Sequence, residues 1–114
     1  MLRSLPRAGR RRIDHAVVFA ALGDETRLAL IGKLVGGEAR SISQLTAGSK
    51  LTRQAITKHL HVLQTAGVVR GVREGRESLF ELDPRPMERV REYLESVSQQ
   101  WDEALGRLKA FVER

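Results

Sequence analysis

Apolar residues run along this chain in two rhythms, and the places where the rhythm changes divide it into elements. From His15 to Ala66 they recur mostly every three or four positions, the spacing of one helix face. Within that stretch, caps and glycines mark four helices. Asp14 can cap a first helix, His15–Leu22, with Val17, Val18, Ala21 and Leu22 as its apolar positions, and Gly23 ends it. Asp24 caps a second, Glu25–Val35, with Leu28, Ile31, Leu34 and Val35 at helical spacing; Gly36-Gly37 closes it. Ser41 caps a short third helix, Ile42–Ala47, that buries Ile42 and Leu45, and Gly48-Ser49-Lys50 forms a turn. Thr52 caps a fourth, Arg53–Ala66, whose apolar face is Ile56, Leu60 and Leu63, flanked by Ala55 and Ala66, and which ends at Gly67.

After Gly67 the pattern becomes that of strands. Residues 68–73 and 77–82 read as a hairpin about the turn Glu74-Gly75-Arg76. Asp83-Pro84-Arg85-Pro86 then breaks the chain, and a long helix runs from about Met87 to about Val112. Its stripe is Met87, Val90, Leu94, Val97, Trp101, Leu105, Leu108 and Val112. The fold class expected is mainly α with a small β-hairpin wing, a winged helix-turn-helix. Its domain spans residues 13–114, behind a disordered basic arm at 1–12.

Charge sharpens this picture. The formal net charge is +6 over 114 residues, and it is unevenly placed. The arm carries Arg3, Arg7, Arg10, Arg11 and Arg12 with no acid. The stretch from Ser41 to Ser78 sets Lys50, Arg53, Lys58, Arg70, Arg73 and Arg76 against only Glu74 and Glu77, and the remainder is net negative. Such a distribution suits a polyanion-binding surface, although a solvated basic face with no partner has the same charges. The chain has no Cys, which excludes disulfides, thiolate catalysis and thiolate metal sites. No apolar run approaches the ~20 residues of a membrane span, and the N-terminus lacks the apolar stretch of a secretory signal. A cytoplasmic location is expected.

The third and fourth helices, joined by a tight glycine-containing turn, form a helix-turn-helix unit. The exposed face of the fourth carries Arg53, Gln54, Thr57, Lys58 and His61. A major groove about 12 Å wide accepts one helix. There Arg and Lys can donate to guanine, Gln can pair with adenine, and the Thr methyl can pack on thymine. The first residues of such a helix reach deepest, and Arg53, Gln54, Thr57 and Lys58 all lie in its first two turns, with Thr52 at the cap a further candidate for DNA contact. Arg73 and Arg76 at the hairpin tip can reach phosphates or a narrow minor groove. A surface hairpin with ordinary charges is the plainer reading of the tip taken alone.

Several short motifs occur in a telling order: Leu22-Gly23-Asp24-Glu25-Thr26-Arg27, then Thr57-Lys58-His59-Leu60, Leu63, Ala66-Gly67-Val68-Val69, and Glu74-Gly75-Arg76. In combination they resemble the ArsR family of bacterial regulators over about residues 16–82, with a C-terminal helix also in place. The resemblance implies a homodimer that binds double-stranded DNA and represses transcription. It implies base and phosphate contacts for Arg53, Gln54, Thr57, Lys58 and His61, and backbone contacts for Arg73 and Arg76. Many relatives sense metals through thiolates on the third helix or Asp/His sets on the last. Here Ile42-Ser43-Gln44-Leu45-Thr46 has no Cys and the last helix has no His, so the chain resembles the subgroup that lacks metal-sensing ligands. The acids of the last helix, Glu88, Glu92, Glu95, Asp102 and Glu103, alone favour hard cations weakly. His59 and His61 are two apart on a helix and cannot both face one ion. Packing is expected of His59 and DNA contact of His61. No metal and no cofactor are therefore expected, with a metal-responsive repressor of the same fold as the alternative.

Asp24 reads most simply as a helix cap and Arg27 as an ion-pair or carbonyl partner. No enzyme is expected, since there is no Gly-rich phosphate loop after a strand and no Ser-His-acid set. The final helix, ~40 Å long at 1.5 Å per residue, exceeds what a core this size needs. Val90, Leu94, Val97, Trp101, Leu105 and Leu108 are the expected dimer interface, with Trp the residue type favoured there. A protein-interaction module that kept the fold is the competing reading. The sequence leaves the control of binding open between protein level alone, a small-molecule effector and a protein effector.

Overall fold

The computed structural model describes residues 15–113. The expected basic arm and the Asp14 cap lie outside the described residues. The elements are α1 (His15–Leu22), α2 (Glu25–Leu34), β1 (Arg40–Ser41), α3 (Ile42–Thr46), α4 (Arg53–Thr65), β2 (Val69–Glu74), β3 (Glu77–Leu82) and α5 (Pro84–Val112).

Both hairpin strands form as expected, but they belong to a three-stranded antiparallel sheet in the order β1-β3-β2. The added strand pairs Arg40 with Phe80 and Ser41 with Leu79. Ser41 leaves β1 and at once caps α3. Its Oγ accepts from the Gln44 amide at 3.1 Å, while the Gln44 side chain accepts from the Ser41 amide at 2.8 Å. This reciprocal box fixes the start of the helix-turn-helix unit against the sheet.

Two expectations about helix faces are corrected. On α1 the buried residues are Val18 and Ala21, while Val17 is exposed. The segment HAVVFAAL is apolar almost all round, so its periodicity does not choose a face; the helices it meets do. On α2, Leu30 joins Ile31 and Leu34 in the core, whereas Leu28 is 55% exposed and Val35, the C-cap, 65%. These core residues pack with Leu45 of α3, Ile56, Leu60 and Leu63 of α4, and Val68 and Val69.

The last helix starts three residues before the expected Met87. Asp83 is its N-cap, accepting from the Arg85 amide at 3.0 Å, and Pro84 opens the first turn. Prolines 84 and 86 do not break the helix because first-turn amides have no intrahelical acceptor to lose. Pro86 and Val90 are its buried residues. Among the described residues beyond Val90, Val97 and Ala104 are half-buried and the rest are exposed. No helix among the described residues is long and apolar enough to cross a membrane.

Candidate nucleic-acid interface

The turn between α3 and α4 is closed by the Ser49 amide donating to the Thr46 carbonyl at 2.9 Å, with Gly48 at φ +78°. That left-handed value is the reason for a glycine here. Thr52 then caps α4, its Oγ1 accepting from the Ala55 amide at 3.1 Å. With that oxygen engaged, the Thr52 hydroxyl proton remains to be donated outward.

Ile56, Leu60 and Leu63 point into the core, which turns the opposite face of α4 to solvent. Arg53, Gln54, Lys58 and His61 are exposed there, and Thr57 is half-buried. The Thr57 hydroxyl donates to the Arg53 carbonyl at 2.7 Å, so its proton serves the helix and its methyl and lone pair are left. The wing follows α4 through Gly67, whose φ of +85° ends the helix. At its tip Arg73 faces Ser78 and Glu74 faces Glu77, flanking Gly75; Arg73 and Arg76 are exposed.

Pairing separates two classes of cation. Arg40, Arg70, Arg85 and Arg91 each lie within 4.0 Å of a carboxylate. Among the described residues, Lys50, Arg53, Lys58, Arg73 and Arg76 form no such ion pair. Arg53 and Lys58 on α4, a helix with no acid, are thus left uncompensated, whereas the wing tip sets Arg73 and Arg76 beside Glu74 and Glu77. Among the described residues no three His, Asp or Glu side chains gather to hold a metal ion.

Asp24 and Arg27 have structural partners, with one contact the sequence does not announce. Asp24 caps α2 by accepting from the Arg27 amide at 3.0 Å, and that hydrogen bond foremost holds its carboxyl below the usual carboxylate range. The Arg27 guanidinium donates to the Ala21 carbonyl and, at 3.5 Å, to that of Ala20. Its third nitrogen lies 3.2 Å from Nδ1 of His59 on α4. The two residues are 32 apart in sequence, and no local pattern connects them.

A helix-turn-helix whose second helix has a basic, acid-free outer face, followed by a β-hairpin with arginines at its tip, is a winged helix-turn-helix of the DNA-binding kind. The comparisons with known proteins agree. A helix-turn-helix domain family matches residues 22–72. The chain is 33% identical over 79 residues to the HTH-type transcriptional regulator YuzN of Bacillus subtilis, spanning 64% of this chain and 86% of that protein. It is similar to the solved structure of an ArsR-like transcriptional regulator from Rhodococcus sp. RHA1. The TM-score is 0.74 and the identity 37%, with 85% of this chain and 91% of that one covered. A homodimeric winged helix-turn-helix DNA-binding domain from Mycobacterium bovis shares the fold at 24% identity and a TM-score of 0.57, over 79% of this chain and 80% of that one. The chain belongs to the ArsR family of transcriptional regulators.

Proposed function

We propose that this protein represses transcription in the cytoplasm by binding an imperfect palindrome as a homodimer, without a metal ion. The observation that carries the reading is the outer face of α4, where Arg53 and Lys58 stand exposed on a helix with no acid and form no ion pair among the described residues. An uncompensated cluster favours phosphates through counterion release. Thr52, Arg53 and Gln54, at the start of α4, meet base edges or the nearest phosphate; Thr57, Lys58 and His61 extend the contact along the groove. Arg73 and Arg76 meet the sugar-phosphate backbone. The bare stripe of α5 takes a second copy. Two-fold symmetry then sets the two α4 helices about one DNA turn apart, ~34 Å, hence the palindrome. A dimer seated on a promoter represses by occupying it.

Selection of bound duplexes from a random pool tests this directly. The expected result is a palindromic motif whose affinity falls steeply with salt. Recovery of no motif, with affinity that ignores salt, would overturn it in favour of a protein-interaction module.

A further inference from the structure

One side chain ties the recognition helix to the rest of the domain. Arg27 leaves α2 and donates to the Ala20 and Ala21 carbonyls near the end of α1 and to the imidazole of His59 on α4. Three helices therefore meet on one planar guanidinium, whose donors sit in a fixed fork. Neighbouring Lys58 is exposed, whereas His59 is half-buried. The inward residue of α4 thus sets the rotation at which the outward residues are presented.

We propose that Arg27 and His59 are positioning residues for DNA recognition, a clasp that fixes the attitude of α4 against α1. The inference rests on α4 being the DNA-reading helix. A guanidinium has donors and no acceptor, so the His59 Nδ1 beside it must accept, and the ring proton must sit on Nε2. Asp24 Oδ2, the cap of α2, lies 3.8 Å from the same Nδ1, so the ring of His59 is bordered by both ends of the Asp24–Arg27 turn.

His59→Asn and His59→Leu separate positioning from bulk. Asn carries an acceptor oxygen close to the place of Nδ1 and does not titrate; Leu removes the acceptor. The probes are the duplex selected by the wild-type protein and a random duplex, read by fluorescence anisotropy. His59→Asn is expected to match wild type, and His59→Leu to lose about fivefold on the selected duplex and little on the random one. Imidazole nitrogen NMR of the free protein is expected to show the Nδ1 of His59 without a proton while the neutral ring carries one on Nε2. Equal affinities for the Asn and Leu variants, or a neutral ring with its proton on Nδ1, would each overturn the clasp. Arg53→Ala separates the two levels of failure. If it weakens selected-duplex binding while His59→Leu does not, the clasp is wrong and the reading of α4 stands. If neither matters, the reading of α4 has failed.

Discussion

Val90 and Trp101 lie on one face of α5, eleven residues and three turns apart, yet Val90 is 4% exposed and Trp101 63%. Eleven steps of ~100° return a helix to within about 20° of its start. The same stripe is therefore consumed by the chain's own core at one end and bare at the other, so Val90 is committed before any partner arrives. Leu94, Leu105, Leu108 and Phe111 are exposed with Trp101. Beside them, Tyr93 stacks on His15 of α1 at 4.5 Å between ring centroids, with Phe19 at 6.1 Å from Tyr93. A continuous apolar face of this length on α5, bordered by aromatic groups from α1, is suited to a second copy. Sedimentation at micromolar concentration is expected to give a dimer. Trp101→Asp, which places a charge in that seam, is expected to cost about 3–5 kcal/mol and yield a monomer.

A second expectation concerns the joint between the wing and α5. Asp83, 6% exposed, caps the helix and holds Arg85 at 2.8 Å, with Arg70 of β2 at 4.0 Å. The Arg85 side-chain hydrogen bond is the main reason its carboxyl is held below the usual range. A depressed carboxylate contributes stability that is present above the unfolded value, ~3.9, and lost as pH falls through the folded one. Asp83→Ala is expected to cost about 1–2 kcal/mol at neutral pH by losing the cap. Asp83→Asn, which can still cap, is expected to cost less. Thermal melts should show the gap between wild type and Asp83→Asn closing as pH drops below about 4. A gap that persists there would place the effect in shape and not in charge.

What the sequence discloses follows from how local each signal is. Helix α4 was legible because Thr52, the Ile56-Leu60-Leu63 spacing and Gly67 all act within one turn of their targets. The sheet was legible only as a hairpin. Strand β1 is two residues long, has no period, and exists through pairing with Phe80 and Leu79 some forty positions later. The prolines before Met87 read as a break because proline opposes helix interiors, whereas position within the first turn decides the matter. The outward residues of α4 were legible by subtraction from its apolar face. The Arg27–His59 contact was not, since a bond across 32 residues leaves no mark on either local pattern.

Metals give a third expectation. Among the described residues no three metal-ligating side chains converge. Zinc, copper and arsenite are therefore expected to leave DNA affinity unchanged in a chelator-controlled titration. A tenfold shift, ~1.4 kcal/mol, at one ion per subunit would establish a metal-responsive repressor instead.

The last expectation separates reading from holding. Arg53 and Gln54 are exposed in the first turn of α4, the part of such a helix that reaches deepest into a major groove. Their side chains carry the paired donors, or donor and acceptor, that base edges can distinguish. Replacing either with Ala is expected to cost about 1–3 kcal/mol on the selected duplex and little on a scrambled one. Arg73 and Arg76 stand on a two-stranded ribbon, exposed and with no carboxylate partner among the described residues. A guanidinium at such a tip is expected to meet phosphate, which has no sequence. Their Ala variants are expected to weaken both duplexes alike and to lower the salt slope by about one unit for each phosphate no longer neutralised. The arm arginines, Arg3 to Arg12, are expected to act as the wing does but more weakly. Anisotropy titrations at several salt concentrations on both duplexes measure all of these at once. If the Arg53 and Gln54 variants lose affinity equally on both duplexes, α4 holds the backbone and bases are read elsewhere. If the Arg73 and Arg76 variants lose it only on the selected duplex, the wing is the reader.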